Sequence, residues 1–175
     1  MNIVLLTHER ELLRPTNTGR LALDAFPHFC SRLIWSRVAP DKRLVSLLSQ
    51  QSAAVLFPDE KGASESPNGV DTLNAKSESL LTKDIYLECL PQTLVIIDAT
   101  WQEARKMLRQ SPYLKQAAKF ALSGNHDSSF TLRRNQVDGG LCTIECIIEV
   151  CKIQGLTQEA EQLNTVFELF QQKSR

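Results

Sequence analysis

The residue best placed for chemistry is Asp98, which interrupts the apolar run Leu94-Val95-Ile96-Ile97 and precedes Ala99-Thr100-Trp101. Four large apolar residues in succession predict a strand buried on both faces, of the kind found inside a parallel sheet. A carboxylate leaving the carboxyl end of such a strand stands where open α/β sheets bind ligands. Thr100 with Glu103 three residues on is a capping-box pattern and predicts a helix start there, with Trp101 and a basic helix surface as neighbours. A second site of interest is Pro15-Thr16-Asn17-Thr18-Gly19, a turn leading into a helix. Backbone amides at such a junction suit a carboxylate or phosphate, although a plain helix capped by Asn17 or Thr18 explains the same residues. Cys142, Cys146 and Cys151 lack the second cysteine pair that a zinc site needs, so they are expected to be small buried hydrophobes. His8 lies in the first loop and reads equally as a surface or capping residue.

The elements that must position these groups alternate. Strand composition covers Asn2 to Thr7, Arg32 to Arg37 (ended by Pro40), Ala53 to Phe57 and, more weakly, Lys119 to Leu122. Helical patterns cover Arg20 to Phe26, Asp41 to Gln51, Thr100 to about Arg109, Thr143 to Gln154 with Gly155 closing it, and Thr157 to Gln172. In the Thr100 helix, Trp101, Ala104 and Leu108 share a face, and Ser111-Pro112 is expected to end it. Residues 61–79 are rich in Ser, Asn, Gly and Glu and read as a long surface loop, and a short helix or strand is expected from Leu80 to Leu90. The alternation predicts an α/β fold, a largely parallel sheet with flanking helices in a single domain spanning residues 1–175.

Bulk composition narrows the partners. Net charge is zero, so affinity for nucleic acid would have to come from a local basic patch. Five cysteines without tight pairing do not form a secreted disulfide framework, and no apolar run approaches a membrane span or a signal segment. No membrane association and no obligate protein partner are expected, and a reducing cytoplasm is the simplest setting.

Several blocks together resemble the DTW-domain family. They are Pro15-Thr16-Asn17-Thr18-Gly19-Arg20, Trp35-Ser36-Arg37 with Pro40, Leu56-Phe57-Pro58, Asp98-Ala99-Thr100-Trp101 continuing to Met107, and Cys142-Thr143-Ile144-Glu145. Ser111-Pro112 and Leu132-Arg133 add to the likeness, which runs from Thr16 to about Val150. Ala99 stands where the family usually has Gly, and the Cys-rich segment with which many members begin has no counterpart before the first strand.

The resemblance implies a tRNA-uridine aminocarboxypropyltransferase that uses S-adenosylmethionine; the missing Cys-rich segment removes the reason to expect a metal. It also implies a SPOUT-like fold with a C-terminal trefoil knot. The implied reaction joins N3 of a tRNA uridine to the 3-amino-3-carboxypropyl group and releases methylthioadenosine. Asp98 is then the catalytic residue, as base or orienter, and Asn17, Thr18, Pro58, Trp101, Cys142 and Thr143 are the expected cofactor contacts. Arg20, Arg37, Arg105, Lys106 and Arg133 are the expected RNA contacts, each otherwise a solvated charge. Trp35 or Phe130 would stack on the uridine. The alternatives are a SPOUT-like methyltransferase with the same cofactor and a non-catalytic RNA-binding module.

Overall fold

A computed structural model describes residues 1–57, 91–122, 128–132 and 140–173. Strand β1 spans Asn2–Thr7, β2 Cys30–Ile34, β3 Ala53–Leu56, β4 Thr93–Asp98 and β5 Lys119–Phe120. Helix α1 spans Gly19–Ala25, α2 Lys42–Ser49, α3 Trp101–Gln110, α4 Pro112–Gln116, α5 Thr143–Ile153 and α6 Thr157–Lys173, with a 3-10 turn at Glu9–Glu11. Every pairing among the described strands is parallel, in the order β2-β1-β4-β3-β5. The flanking helices make this the α/β architecture expected.

The central strands β1 and β4 are apolar because both their faces are covered. Ile3, Leu5, Leu94 and Ile96 point to one side, where they meet Ala22 of α1, Ile144 and Ile147 of α5 and Phe167 of α6. Val4, Leu6 and Val95 point to the other, against Leu44 and Leu48 of α2, Ala104 and Met107 of α3 and Leu114 of α4. Alternation with period 2, kept in register across β1 and β4, sorts the side chains into these two cores. The same parity carries Thr7 and Asp98, register partners at the strand ends, to the α1/α5 side.

Three local readings change. Strand β2 lies at Cys30–Ile34 and not at Arg32 to Arg37, because β1 ends at Thr7, the partner of Ile34, and Trp35 makes the last bond, to the Thr7 carbonyl at 2.9 Å. Helix α3 turns Ala104 and Met107 fully inward and leaves Trp101 and Leu108 half-buried. Pro112 does end α3, but it also opens α4, since proline at the first helical position loses no hydrogen bond there. Cys30, Cys142 and Cys151 are buried in the α1/α5 core. Among the described residues, no helix is long and apolar enough to cross a membrane. The 61–79 loop and the Leu80 to Leu90 element lie outside the described residues.

Candidate functional site

Asp98 ends β4 with 2% of its surface exposed. Its carboxylate accepts hydrogen bonds from three side chains. Oδ2 takes the Thr7 hydroxyl at 3.1 Å and the Asn17 amide at 2.9 Å, and Oδ1 takes the Thr143 hydroxyl at 2.9 Å. The Arg32 guanidinium stands 3.9 Å from Oδ2. A buried carboxylate requires such partners, since desolvation without them would be prohibitive. One side chain thereby ties together β1, the first loop, β2, β4 and the start of α5.

Each partner is placed by its own local structure. Asn17 Oδ1 accepts the backbone N–H of Arg20 at 3.0 Å, so Asn17, and not the N-cap residue Thr18, caps α1 by its side chain. That bond occupies an amide the loop would otherwise offer to an anion. The same Oδ1 receives Arg32 Nη2 at 3.3 Å. Gly19 lies directly above: a Cβ there would come 3.0 Å from Asp98 Oδ1 and 3.0 Å from Leu5 Cδ1, so the loop's approach to the carboxylate requires glycine. Arg32 reaches the cluster from β2, where it is the register partner of inward-facing Leu5. Its Nε is buried and has no hydrogen-bond partner.

The α5 start is fixed from both directions. Glu145 accepts the Cys142 N–H at 2.8 Å, the Ser128 hydroxyl at 2.6 Å and the Ser129 N–H at 2.7 Å. The Ile144 N–H reaches Thr18 Oγ1 at 3.4 Å. Burial, with the Glu145 carboxylate beside it, pushes the Cys142 thiol well up, so it is a packing group and not a nucleophile.

On the opposite face of the same sheet edge lies a second polar group. His8 follows Thr7, donates its N–H to the Asp98 carbonyl at 3.1 Å and stacks on Trp35 at 5.6 Å between ring centroids. Trp35 Nε1 donates to Ser111 Oγ at 2.9 Å. Glu103 closes the capping box with Thr100, the helix start read from the sequence. Burial pushes its carboxyl up, but the bonds from Thr100, with His8 and Arg14 nearby, outweigh this and hold it below the usual range. Trp101 meets Phe57 edge-on at 6.4 Å, which joins the ends of β3 and β4.

The structure thus brings Asn17, Thr18, Asp98, Cys142 and Thr143 into one cluster and sets Trp101 on the other side of the sheet edge. Pro58 and Arg133 lie outside the described residues. The remaining basic residues do not form one patch: Arg20 is on α1, over the Phe170 ring at 5.3 Å, whereas Arg105 and Lys106 are exposed on α3 across the sheet. Arg37 is exposed beyond the end of β2. The two aromatics expected to stack on a uridine are placed differently. Phe130 is buried at 4% exposure against Phe167, whereas Trp35 is half-buried with one face stacked on His8. Thr7 and Arg32 are the members that sequence reasoning missed. A charged residue two positions from Cys30, within a strand, was the available signal for Arg32.

A parallel α/β sheet with a polar cluster at its carboxyl edge is the class of protein that fold and site define. The family model described as the DTW domain matches residues 1–175, so the chain belongs to the DTW-domain family, which is associated with tRNA modification. No solved structure matches the chain.

Proposed function

We propose that this protein is an S-adenosylmethionine-dependent aminocarboxypropyltransferase acting on N3 of a tRNA uridine, with methylthioadenosine as the second product. Family membership supports tRNA modification, and the resemblance of the sequence blocks suggests the aminocarboxypropyl transfer. The observation that carries the reading to this site is the Asp98 cluster, which gathers residues from three of the family-like blocks at the carboxyl edge of the central strands.

The bound cofactor supplies an activated sulfonium leaving group, so the protein's contribution is mainly positioning. Asp98 is the orienter. Both its oxygens are engaged, Oδ2 by Thr7 and Asn17 and Oδ1 by Thr143, and its exposure is only 2%. The residues fit an aminocarboxypropyl group in one specific respect: Arg32 Nε is a buried donor lacking an acceptor, beside the cluster, and a carboxylate is the acceptor it lacks. Arg32 would hold that carboxylate, while Asn17 and the α5 start at Cys142 and Thr143 shape the floor. Trp101, paired with Phe57, would form a wall toward the adenosyl side.

The reading extends to tRNA as partner through two separate basic surfaces, α1 with Arg20 and α3 with Arg105 and Lys106. It extends also to a single cytoplasmic domain and to a SPOUT-like architecture with a knotted C-terminal part.

Unmodified tRNA is incubated with cofactor labelled in either the methyl group or the carboxyl carbon. Carboxyl label in the RNA with methylthioadenosine released is the expected result. Methyl label in the RNA would make the protein a methyltransferase, and binding without label transfer would make it an RNA-binding module.

A further inference from the structure

We propose that His8 reads the target base, donating its Nε2–H to the O4 carbonyl of the uracil ring. The inference rests on the uridine-directed reading above and adds the residue that would select the base. His8 occupies the junction of the two central strands, one residue past Thr7, with its N–H on the Asp98 carbonyl at 3.1 Å. The ring cannot turn freely: it stacks on Trp35 with 23° between planes, and Trp35 is itself fixed by Ser111. Nδ1 accepts the Arg10 backbone N–H at 3.3 Å. Among the described residues Nε2 has no hydrogen-bond partner, and His8 as a whole is 7% exposed. The ring is therefore immobilised, and among the described residues its Nε2 is left to use.

Its chemistry follows from the contact at Nδ1. With Nδ1 accepting, the neutral ring carries its proton on Nε2, and the imidazolium carries one there as well. In both forms Nε2 donates, so His8 cannot take a proton at that atom and is not the base. A fixed donor accepts a carbonyl and rejects an amino group, which separates uracil from cytosine at position 4. Glu103, ionised and near His8, makes the surroundings unfavourable to a phosphate. The donor also assists the reaction. As N3 loses its proton to water, its electron pair forms the bond to the γ-carbon and the carbon–sulfur pair stays with sulfur. Negative charge developing on O4 during this step is stabilised by the Nε2–H.

Two variants separate this role from support of the fold. His8→Asn keeps an acceptor for the Arg10 N–H and removes the distal donor; His8→Gln restores a donor near the reach of Nε2. Loss of one such donor predicts about 10²-fold slower single-turnover transfer of carboxyl label for His8→Asn, with at least about tenfold recovered in His8→Gln. The two variants, which lose the Trp35 stack alike, should share one melting temperature, and cofactor binding should match the parent. His8→Asn turning over at the parent rate, or both variants losing activity together with a lowered melting temperature, overturns the proposal. A second readout does not depend on the transfer reaction. In protein with ¹⁵N-labelled histidine, the His8 Nε2 resonance should move on adding oligouridylate and stay in place with oligocytidylate. An Nε2 signal unmoved by oligouridylate, or moved equally by both, refutes base reading by His8. A shift selective for uridine in a protein that transfers methyl label would refute the aminocarboxypropyl reaction and keep the His8 contact.

Discussion

Replacing Asp98 with Asn tests the cluster at its centre. The new side chain is nearly the same size, so the change is one of charge and of acceptor count. Its orientation is dictated by the neighbours. With the carbonyl oxygen at the Oδ2 position, Thr7 and Asn17 keep their acceptor, and the amide faces Thr143 Oγ1, which must turn from donor to acceptor. The opposite orientation sets two amide groups against each other at Asn17. Arg32 also loses the carboxylate charge 3.9 Å from its guanidinium. Hydrogen bonds to a charged group contribute about 1.5–3 kcal/mol and neutral ones about 0.5–1.5, so three bonds weakened by roughly 1 kcal/mol each predict a loss of about 3 kcal/mol. For a chain of 175 residues this corresponds to a melting temperature lowered by roughly 6–12 °C. Urea and thermal unfolding at pH 7 measure it directly. Activity supplies the second arm. If Asp98 positions its neighbours, Thr143→Val should lose label transfer to a similar degree as Asp98→Asn, each at saturating cofactor. A melting temperature for Asp98→Asn within about 1 °C of the parent would refute the energetic reasoning. Full activity in Thr143→Val with none in Asp98→Asn would instead make the carboxylate itself the reacting group.

Gly19→Ala should destabilise the protein by about 1–3 kcal/mol, since its Cβ would meet Asp98 Oδ1 and Leu5 at 3.0 Å; an unchanged urea midpoint refutes the close approach. Burial, with Asp98 nearby, pushes the Cys30 thiol from its ordinary 9.0 up to about 12. The unfolded thiol ionises first, so stability present below pH 9 falls as pH rises from 9 toward 12, by at most about 1.4 kcal/mol per pH unit for one thiol. Urea stability measured at pH 8 and pH 10 should fall less in Cys30→Ala than in the parent; parallel falls would exclude Cys30 as a source.

What the sequence disclosed depended on the distance over which each feature is determined. The Thr100–Glu103 capping box and the glycine after α5 are decided within a few residues, and both are found in place. Asp98 was legible because an acid ending an apolar strand stands out locally. Thr7 and Arg32 were not, because their roles arise from lateral strand register; Thr7 and Asp98 are 91 positions apart. Arg32 in particular reads only as the first residue of a strand until its pairing with Leu5 turns it inward. The basic residues illustrate the opposite failure. Their number was evident, but only the sheet between α1 and α3 shows that they face different sides. Pro112 had two meanings, helix stop and helix start, and both apply.

The Asp98 cluster also bears on how the molecule is made. Its hydrogen bonds span 45, 81 and 91 positions, and the sheet that supports it contains only parallel, hence non-local, pairings among the described strands. Such contacts form late, after the loop-closure entropy of most of the chain has been overcome. A nascent chain that has not yet extruded α5 can pair β1 with β4 but leaves Asp98 Oδ1 without Thr143. Completion of the cluster is therefore a checkpoint of folding, and a partly folded molecule lacks the centre of its site.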